Sequence, residues 1–247
     1  MSYVLIIGAK SDIAKELARK YAKNGYDLYL AARDVENLNG LAKDIKIRSD
    51  VKIALKNFDM VDFDSHQKFY DTLEPKPLGV IVVAGYMADQ EECEKDWKKA
   101  LNTINVNYTG TVSILNIVAN DMEKNKNGFI VGISSVAGDR GRKTNYIYGS
   151  SKAAFSTYLS GLRNRLYGSG VKVLTVKPGF VATKMTKGLE LPEKLTAKPE
   201  DVANDVYCAQ QKGKNILYTK GIWKFIMLII MHIPEFIFKK MSIGVKK

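Results

Sequence analysis

Apolar and polar positions in this chain are grouped in blocks rather than alternating residue by residue. Short runs rich in Val, Ile and Leu fall at 4–7, 27–30, 51–55, 79–83, 129–133 and 171–176, with a last short one at 215–218. Runs of this length and composition predict strands buried on both faces. Between them lie stretches with apolar or small residues at helical spacing: 13–21, 35–47, around 66–73, a long region ending near Met122, then 148–167 and 201–211. Strands that alternate with helices imply right-handed βαβ units, hence an α/β fold built on a doubly wound parallel sheet. In such a sheet ligands lie outside the carboxyl ends of the strands, where the strand order reverses. The turn after the first strand is therefore the first place to look for a ligand.

Length fits that architecture, since 247 residues suffice for one α/β domain with a buried core and leave little for a second. With 46% hydrophobic and 26% charged residues, wholesale disorder is excluded. Two distant cysteines, Cys93 and Cys208, argue against a disulfide framework and suit a reducing compartment. Two histidines, His66 and His232, with no Cys or His pair at ligand spacing, give a metal site no support. Met1-Ser2-Tyr3 runs straight into the first apolar run without the basic and apolar regions of a secretory signal, so a cytoplasmic protein is expected.

Charge changes the picture at one end. The net charge is +12, and residues 212–247 hold eight lysines against the single acid Glu235. No nucleic-acid motif accompanies this excess, so no nucleic-acid partner is expected. Residues 221–238 are apolar apart from Lys224, His232, Pro234 and Glu235. The longest charge-free stretch there, 225–234, is too short to span a bilayer, which needs about 20 apolar residues. Pro234 also interrupts any helix. Two readings of the basic apolar tail 221–247 stay open. It is either a helix lying in a membrane surface or a helix packed on the body or on another subunit.

The first turn reads Gly8-Ala9-Lys10-Ser11-Asp12-Ile13-Ala14. A glycine directly after a strand lets the backbone approach a pyrophosphate, and the following helix offers it unpaired N–H groups. A plain turn with Ser11 or Asp12 as helix cap fits that segment equally well. Further on, Tyr148-Gly149-Ser150-Ser151-Lys152 sets a phenol and an ammonium four residues apart, on one helix face. A free tyrosine titrates near ~10, and a neighbouring lysine favours the phenolate and lowers that value. Ser135, thirteen residues before Tyr148 and just past the strand 129–133, is placed to bind a substrate carbonyl. After the second strand comes Ala31-Ala32-Arg33-Asp34. A guanidinium there suits a ribose 2′-phosphate and selects NADP(H), whereas NAD-binding proteins of this architecture carry an acid for the 2′-hydroxyl. The bland alternative makes Arg33 a solvated loop residue.

Residues 8–14, Asp59, Ala84-Gly85, Asn107, Ser135, Tyr148, Lys152 and Pro178-Gly179 occur in the order and spacing of the short-chain dehydrogenase/reductase family, which the chain resembles over 3–220. The resemblance implies a single Rossmann-type domain over 1–220, strand order 3-2-1-4-5-6-7, with 221–247 as an appended tail. It implies a catalytic tetrad of Asn107, Ser135, Tyr148 and Lys152. Tyr148 would protonate the forming alkoxide, Ser135 orient the carbonyl, Lys152 bind the nicotinamide ribose, and Asn107 hold a water. Gly8, Lys10, Ser11, Asp12 and Ile13 would border the pyrophosphate, and Arg33 the 2′-phosphate. Asp59 would lie beside the adenine, Ala84 and Gly85 behind the cofactor, and Val181 and Thr183, after Pro178-Gly179, at the nicotinamide carboxamide. The resemblance also implies a dimer or tetramer. The pattern departs from the family at Asp12, which puts a carboxylate where a glycine is usual, and at Val82-Val83, which replace two asparagines.

The segment Asp139-Arg140-Gly141-Arg142-Lys143-Thr144-Asn145-Tyr146 borders the expected substrate mouth. Its three cations are either a receptor for an anionic substrate or a solvated loop. Together with the tail it resembles the bacterial subgroup that includes the decaprenylphosphoryl 2-keto-ribose reductase, which implies a keto-sugar on a polyprenyl phosphate. The expected activity is NADPH-dependent reduction of a ketone, small or lipid-linked. The rivals are a reductase of a hydrophobic lipid ketone and a nucleotide-sensing protein without catalysis.

Overall fold

A computed structural model describes residues 2–242, so Met1 and 243–247 of the tail lie outside the described residues. The main sheet has seven parallel strands: β1 (Tyr3–Ile7), β2 (Asp27–Ala32), β3 (Ile53–Asn57), β4 (Gly79–Val82), β5 (Phe129–Ile133), β6 (Lys172–Lys177) and β9 (Ile216–Tyr218). Their spatial order is β3-β2-β1-β4-β5-β6-β9, the expected topology. Two strands of two residues each, β7 (Phe180–Val181) and β8 (Thr196–Ala197), pair with each other outside the main sheet.

The apolar runs are continuous because alternate residues of each strand serve opposite cores. Val4 and Ile6 of β1, Leu28 and Leu30 of β2 and Val131 of β5 pack under α1 (Asp12–Lys23), α2 (Asn39–Arg48) and α8 (Pro199–Gln211). Leu5, Ile7, Tyr29, Val80 and Ile130 pack under α3 (His66–Asp71), α6 (Gly110–Asn125) and α7 (Tyr146–Leu166). Helices therefore cover both faces, as the unbroken apolar runs require.

Three segments differ from the sequence reading. The third strand starts two residues later than 51–55, because Lys52 N–H donates to the buried Asp27 carboxylate at 2.7 Å, and β2 and β3 pair from Leu28 and Ile53 onward. The helix expected over 35–47 opens as a 3₁₀ turn, Val35–Leu38, with Asp34 left-handed at φ 52° before it. The long region before Met122 is broken into α4 (Gln90–Lys95), α5 (Trp97–Ile104), a π-helical turn (Asn105–Thr109) and α6.

In the tail, α9 (Ile222–His232) stops before Pro234 and α10 (Glu235–Phe238) starts after it, as the proline dictates. Trp223 and Met227 of α9 are buried with Val136 and face Phe180, Ile226 and Ile230. Among the described residues no helix is long and apolar enough to cross a membrane.

Candidate active site

One cleft of about 1340 Å³ runs along the carboxyl ends of the strands. That exceeds the ~300–1,000 Å³ of an ordinary small-ligand pocket, leaving room for a dinucleotide and a second molecule. Gly8, Lys10, Ser11, Asp12, Ile13, Arg33, Asp59, Ala84, Gly85, Ser135, Tyr148, Lys152, Pro178, Gly179, Val181 and Thr183 all line it, whereas Asn107 lies just behind its wall.

The end near β1 and β2 is built from backbone. Gly8 has φ +83°, and a Cβ there would meet Ala84 N at 2.8 Å, so only glycine lets the turn lie against the exit of β4. Gly8 and Ala9 both donate to Ala31 O, at 2.9 and 3.1 Å. Ser11 caps α1 by accepting from Ala14 N at 3.2 Å, which leaves the first turn of the helix facing the cleft. This tight glycine turn, closing on a helix N-terminus, fits a pyrophosphate. Lys10 pairs with Asp34 at 3.2 Å, while the exposed Arg33 beside them has no ion-pair partner among the described residues. Asp59 accepts from Val61 N at 3.1 Å, and its carbonyl is held by the fully buried His66 at 3.0 Å. Burial depresses the pKa of His66, whose other nitrogen meets Ser113 Oγ at 2.9 Å.

Asp12 has a definite task. Its Oδ2 accepts from Lys184 N at 2.9 Å, and Oδ1 stands 3.6 Å from Lys15 Nζ. The carboxylate is thus turned toward the segment after β7 and neutralised by a lysine of its own helix. It ties the glycine turn to the far wall of the cleft, 172 residues away in sequence.

At the other end, α7 brings Tyr148 and Lys152 under the 3₁₀ turn Val136–Gly138 that follows Ser135. Contact is close because a Cβ at Gly138 would meet Ala153 N at 2.7 Å, and one at Gly149 would meet Ala137 O at 2.8 Å. Ser135 Oγ accepts from Ala137 N at 3.1 Å, and its hydroxyl acts on the Tyr148 phenol, lowering the pKa of that phenol. Lys152 donates to Ile133 O at 3.1 Å and Ala84 O at 3.4 Å, with Nζ 5.8 Å from the Tyr148 ring centre. Ser134 donates to Lys152 O at 2.9 Å and pairs with Ser156 at 2.7 Å, fixing that turn of α7 to the end of β5. Sequence reasoning passed over Ser134, although its place next to Ser135 was the available signal.

The electrostatics differ from the sequence expectation. Burial pushes the Tyr148 phenol up to about 12, with the Ser135 hydrogen bond pulling it the other way. Burial pulls the Lys152 ammonium down to about 8. Desolvation of the phenolate dominates here over the lowering expected from the lysine, and Lys152 spends two donors on carbonyls. The phenol is therefore held as an acid.

Asn107 sits in the π-helical turn, fully buried. Its Oδ1 accepts from Tyr86 N at 3.0 Å and its Nδ2 donates to Tyr86 O at 2.7 Å. Both bonds peg the loop leaving β4. A single π turn inside a helical run commonly accompanies functional sites.

On the β6 side, Val136 N donates to Pro178 O at 3.0 Å, Thr183 N to Thr186 Oγ1 at 3.1 Å, and Thr186 Oγ1 to Val181 O at 2.7 Å. Gly179 lies directly under the Trp223 ring, where a Cβ would fall 2.0 Å from ring atoms. Trp223 Nε1 donates to Leu195 O at 3.0 Å. The tail thus rests on the same loop that closes the cleft, and Trp223 is one of the cleft residues.

The mouth cations divide. Arg140 donates to the carbonyls of Ile230, Met231 and Ile233 at 2.7, 3.2 and 2.6 Å, pairs with Glu235 at 2.8 Å, and lies 3.8 Å from the Phe238 ring centre. It caps the end of α9 and is not free to receive a substrate. Arg142 and Lys143 line the cleft.

A family model described as short chain dehydrogenase matches residues 2–194. The chain belongs to the short chain dehydrogenase family. An uncharacterized oxidoreductase of Mycobacterium tuberculosis strain H37Rv is 34% identical over 241 residues, covering 96% of each chain. One from Streptomyces coelicolor is 29% identical, covering 97% of this chain and 96% of its own. Among solved structures, a short-chain dehydrogenase from Sphingobium yanoikuyae in complex with NADPH superposes with TM-score 0.83 at 23% identity, over 95% of this chain and 97% of that one. A single-residue variant of the actinorhodin polyketide ketoreductase, with NADPH, gives 0.80 at 21%, over 90% and 97%.

Proposed function

We propose that this protein is an NADP(H)-dependent reductase that converts a ketone to an alcohol. The observation that carries the reading is one continuous cleft with a half-buried phenol held protonated at one end and, beyond a glycine turn at the other, a guanidinium with no ion-pair partner among the described residues. The NADPH bound by the Sphingobium dehydrogenase and the ketoreductase, both of this fold, supports the choice of cofactor. A nicotinamide lying along this cleft would supply hydride to the carbonyl carbon.

This chain's own residues do the rest. Ser135 orients the carbonyl oxygen through the hydroxyl it shares with Tyr148. Tyr148 delivers its phenolic proton to that oxygen as charge develops there. Lys152, charged below about 8, stabilises the phenolate left behind. Asn107 positions the loop carrying Ala84 and Gly85. A sensor would have no use for this pairing of acid and orienting hydroxyl. The expected result is NADPH consumption matched one for one by alcohol when a ketone panel is screened. NADPH binding without turnover of any ketone would support the sensor.

The finer reading is a ketone borne on lipid, such as a keto-sugar on a polyprenyl phosphate, met by a cytoplasmic enzyme at the inner face of the membrane. Its support is the outer side of α9. Ile222, Leu228, Phe225 and Ile229 stand in solvent, the last two 67% exposed, with the exposed Lys224 on the same helix and exposed Lys239 and Lys240 further along the tail. Apolar residues ringed by lysines suit an anionic bilayer surface. The same face suits a hydrophobic lipid ketone as substrate, or a second copy of the chain in a homodimer or tetramer. Replacing Phe225 and Ile229 by Glu is expected to abolish co-sedimentation with phosphatidylglycerol vesicles while leaving NADPH affinity unchanged. Sedimentation equal to wild type would contradict membrane contact.

A further inference from the structure

We propose that Arg142 and Asn145 form a subsite for a phosphate-bearing, hydroxylated ketone, the guanidinium receiving a phosphate oxygen and the amide oxygen a neighbouring hydroxyl. This rests on the reductase reading and names the substrate class for it.

Among the described residues three buried side-chain polar atoms lack a hydrogen-bond partner, and two of them are Arg142 Nε and Asn145 Oδ1. Buried polar atoms are nearly always satisfied, so an orphan donor and an orphan acceptor on one turn of the cleft wall point to a ligand. Both residues line the cleft. They sit on one tight turn, in which Asn145 N donates to Arg142 O at 3.1 Å. Asn145 immediately precedes α7, so Tyr148 lies one helical turn further on. A hydroxyl held by Asn145 therefore lies near the reacting carbonyl, and Arg142, at the other end of the same turn, receives a phosphate further along the substrate.

No described residue forms an ion pair with this guanidinium, although the charge of Asp139 is felt there. The nearby acid Asp139 is committed to Lys177 and to Tyr218, whose hydroxyl donates to it at 2.9 Å. Arg140 is held by the end of α9 and Glu235. Arg142 has no ion-pair partner among the described residues and is partly withdrawn from water, which depresses its pKa and strengthens its attraction for an anion. Because a guanidinium remains charged in proteins, it offers a fixed donor to phosphate.

The test uses the full chain saturated with NADPH, so that the coenzyme's own phosphate site is filled. Calorimetric titration with inorganic phosphate should show binding that weakens about 10–100-fold in Arg142→Gln. Lys124→Gln, an exposed lysine of α6 outside the cleft, should change it little, and unchanged NADPH affinity certifies that the variants are folded. Phosphate that fails to bind, or binds Arg142→Gln as well as wild type, overturns the subsite. Dihexanoyl phosphatidic acid binding more tightly than inorganic phosphate upholds it with a lipid-borne group. Equal binding upholds it with a water-soluble one. Turnover separates the two ideas. If dihydroxyacetone and its phosphate are both reduced but Arg142→Gln leaves their ratio of kcat/KM unchanged, the subsite fails and the reductase stands. If phosphate binds as described but no ketone consumes NADPH, the reductase fails instead.

Discussion

Tyr148→Phe should lower kcat for ketone reduction by about 10²–10⁴-fold, the usual worth of a positioned general acid, while leaving NADPH affinity within twofold or so. The ring packs as before and only the proton is lost. Because burial holds the phenol near 12, it stays protonated across the working range, and its own titration does not shape the pH profile. The titration that does is that of Lys152, near 8. Below that value the ammonium is charged and stabilises the phenolate formed as the proton departs. Above it the charge is lost. The kcat/KM for reduction should therefore be level on the acid side and fall as pH rises through about 8. Steady-state rates from about pH 6 to 10 on wild type and Tyr148→Phe check both statements. A mutant with wild-type kcat would remove Tyr148 from the mechanism.

Arg33→Asp should reverse the coenzyme preference. A hydrogen bond between guanidinium and phosphate contributes about 1.5–3 kcal/mol, so its loss should raise the Kd for NADPH about 10–100-fold. The new carboxylate repels the 2′-phosphate and can accept from a ribose 2′-hydroxyl, so NADH should bind at least as well as before. Lys10 tempers the loss. Its pair with Asp34 is solvent-exposed and weak, which leaves the lysine available to a phosphate. Fluorescence titration with the two reduced coenzymes measures the ratio directly. A preference unchanged in the mutant would make Arg33 the solvated loop residue of the alternative reading.

Legibility in the sequence followed the range of the interactions. The seven strands, their order and the place of the cleft came from apolar runs, helix spacing and the family pattern. Spacing places Tyr148 and Lys152 on one helix face, whereas their meeting with Ser135, just past the end of β5, was implied by the family pattern. Asp12 resisted, since its partner is a backbone N–H 172 residues on, in a segment without sequence signature. Arg140 misled for the same reason. Its charge resembles a mouth cation, but its partners are carbonyls 90 to 93 residues away at the end of α9. Only the folded chain separates it from Arg142. The π turn at Asn107 was invisible because one extra residue in a turn scarcely disturbs an apolar pattern. Trp223 over Gly179 is a contact of shape, a ring resting where no side chain stands, and composition carries no trace of it.

The central claim is that hydride passes from a bound NADPH to a ketone carbon in this cleft, with Tyr148 giving the proton. Single-turnover reaction of the enzyme with NADPH deuterated at C4 of the nicotinamide, across a panel of neutral and phosphorylated ketones, tests it most directly. The expected product is an alcohol carrying deuterium at its carbinol carbon, formed by wild type and slowed by orders of magnitude in Tyr148→Phe. A protein that binds NADPH tightly yet transfers no label to any ketone would contradict it.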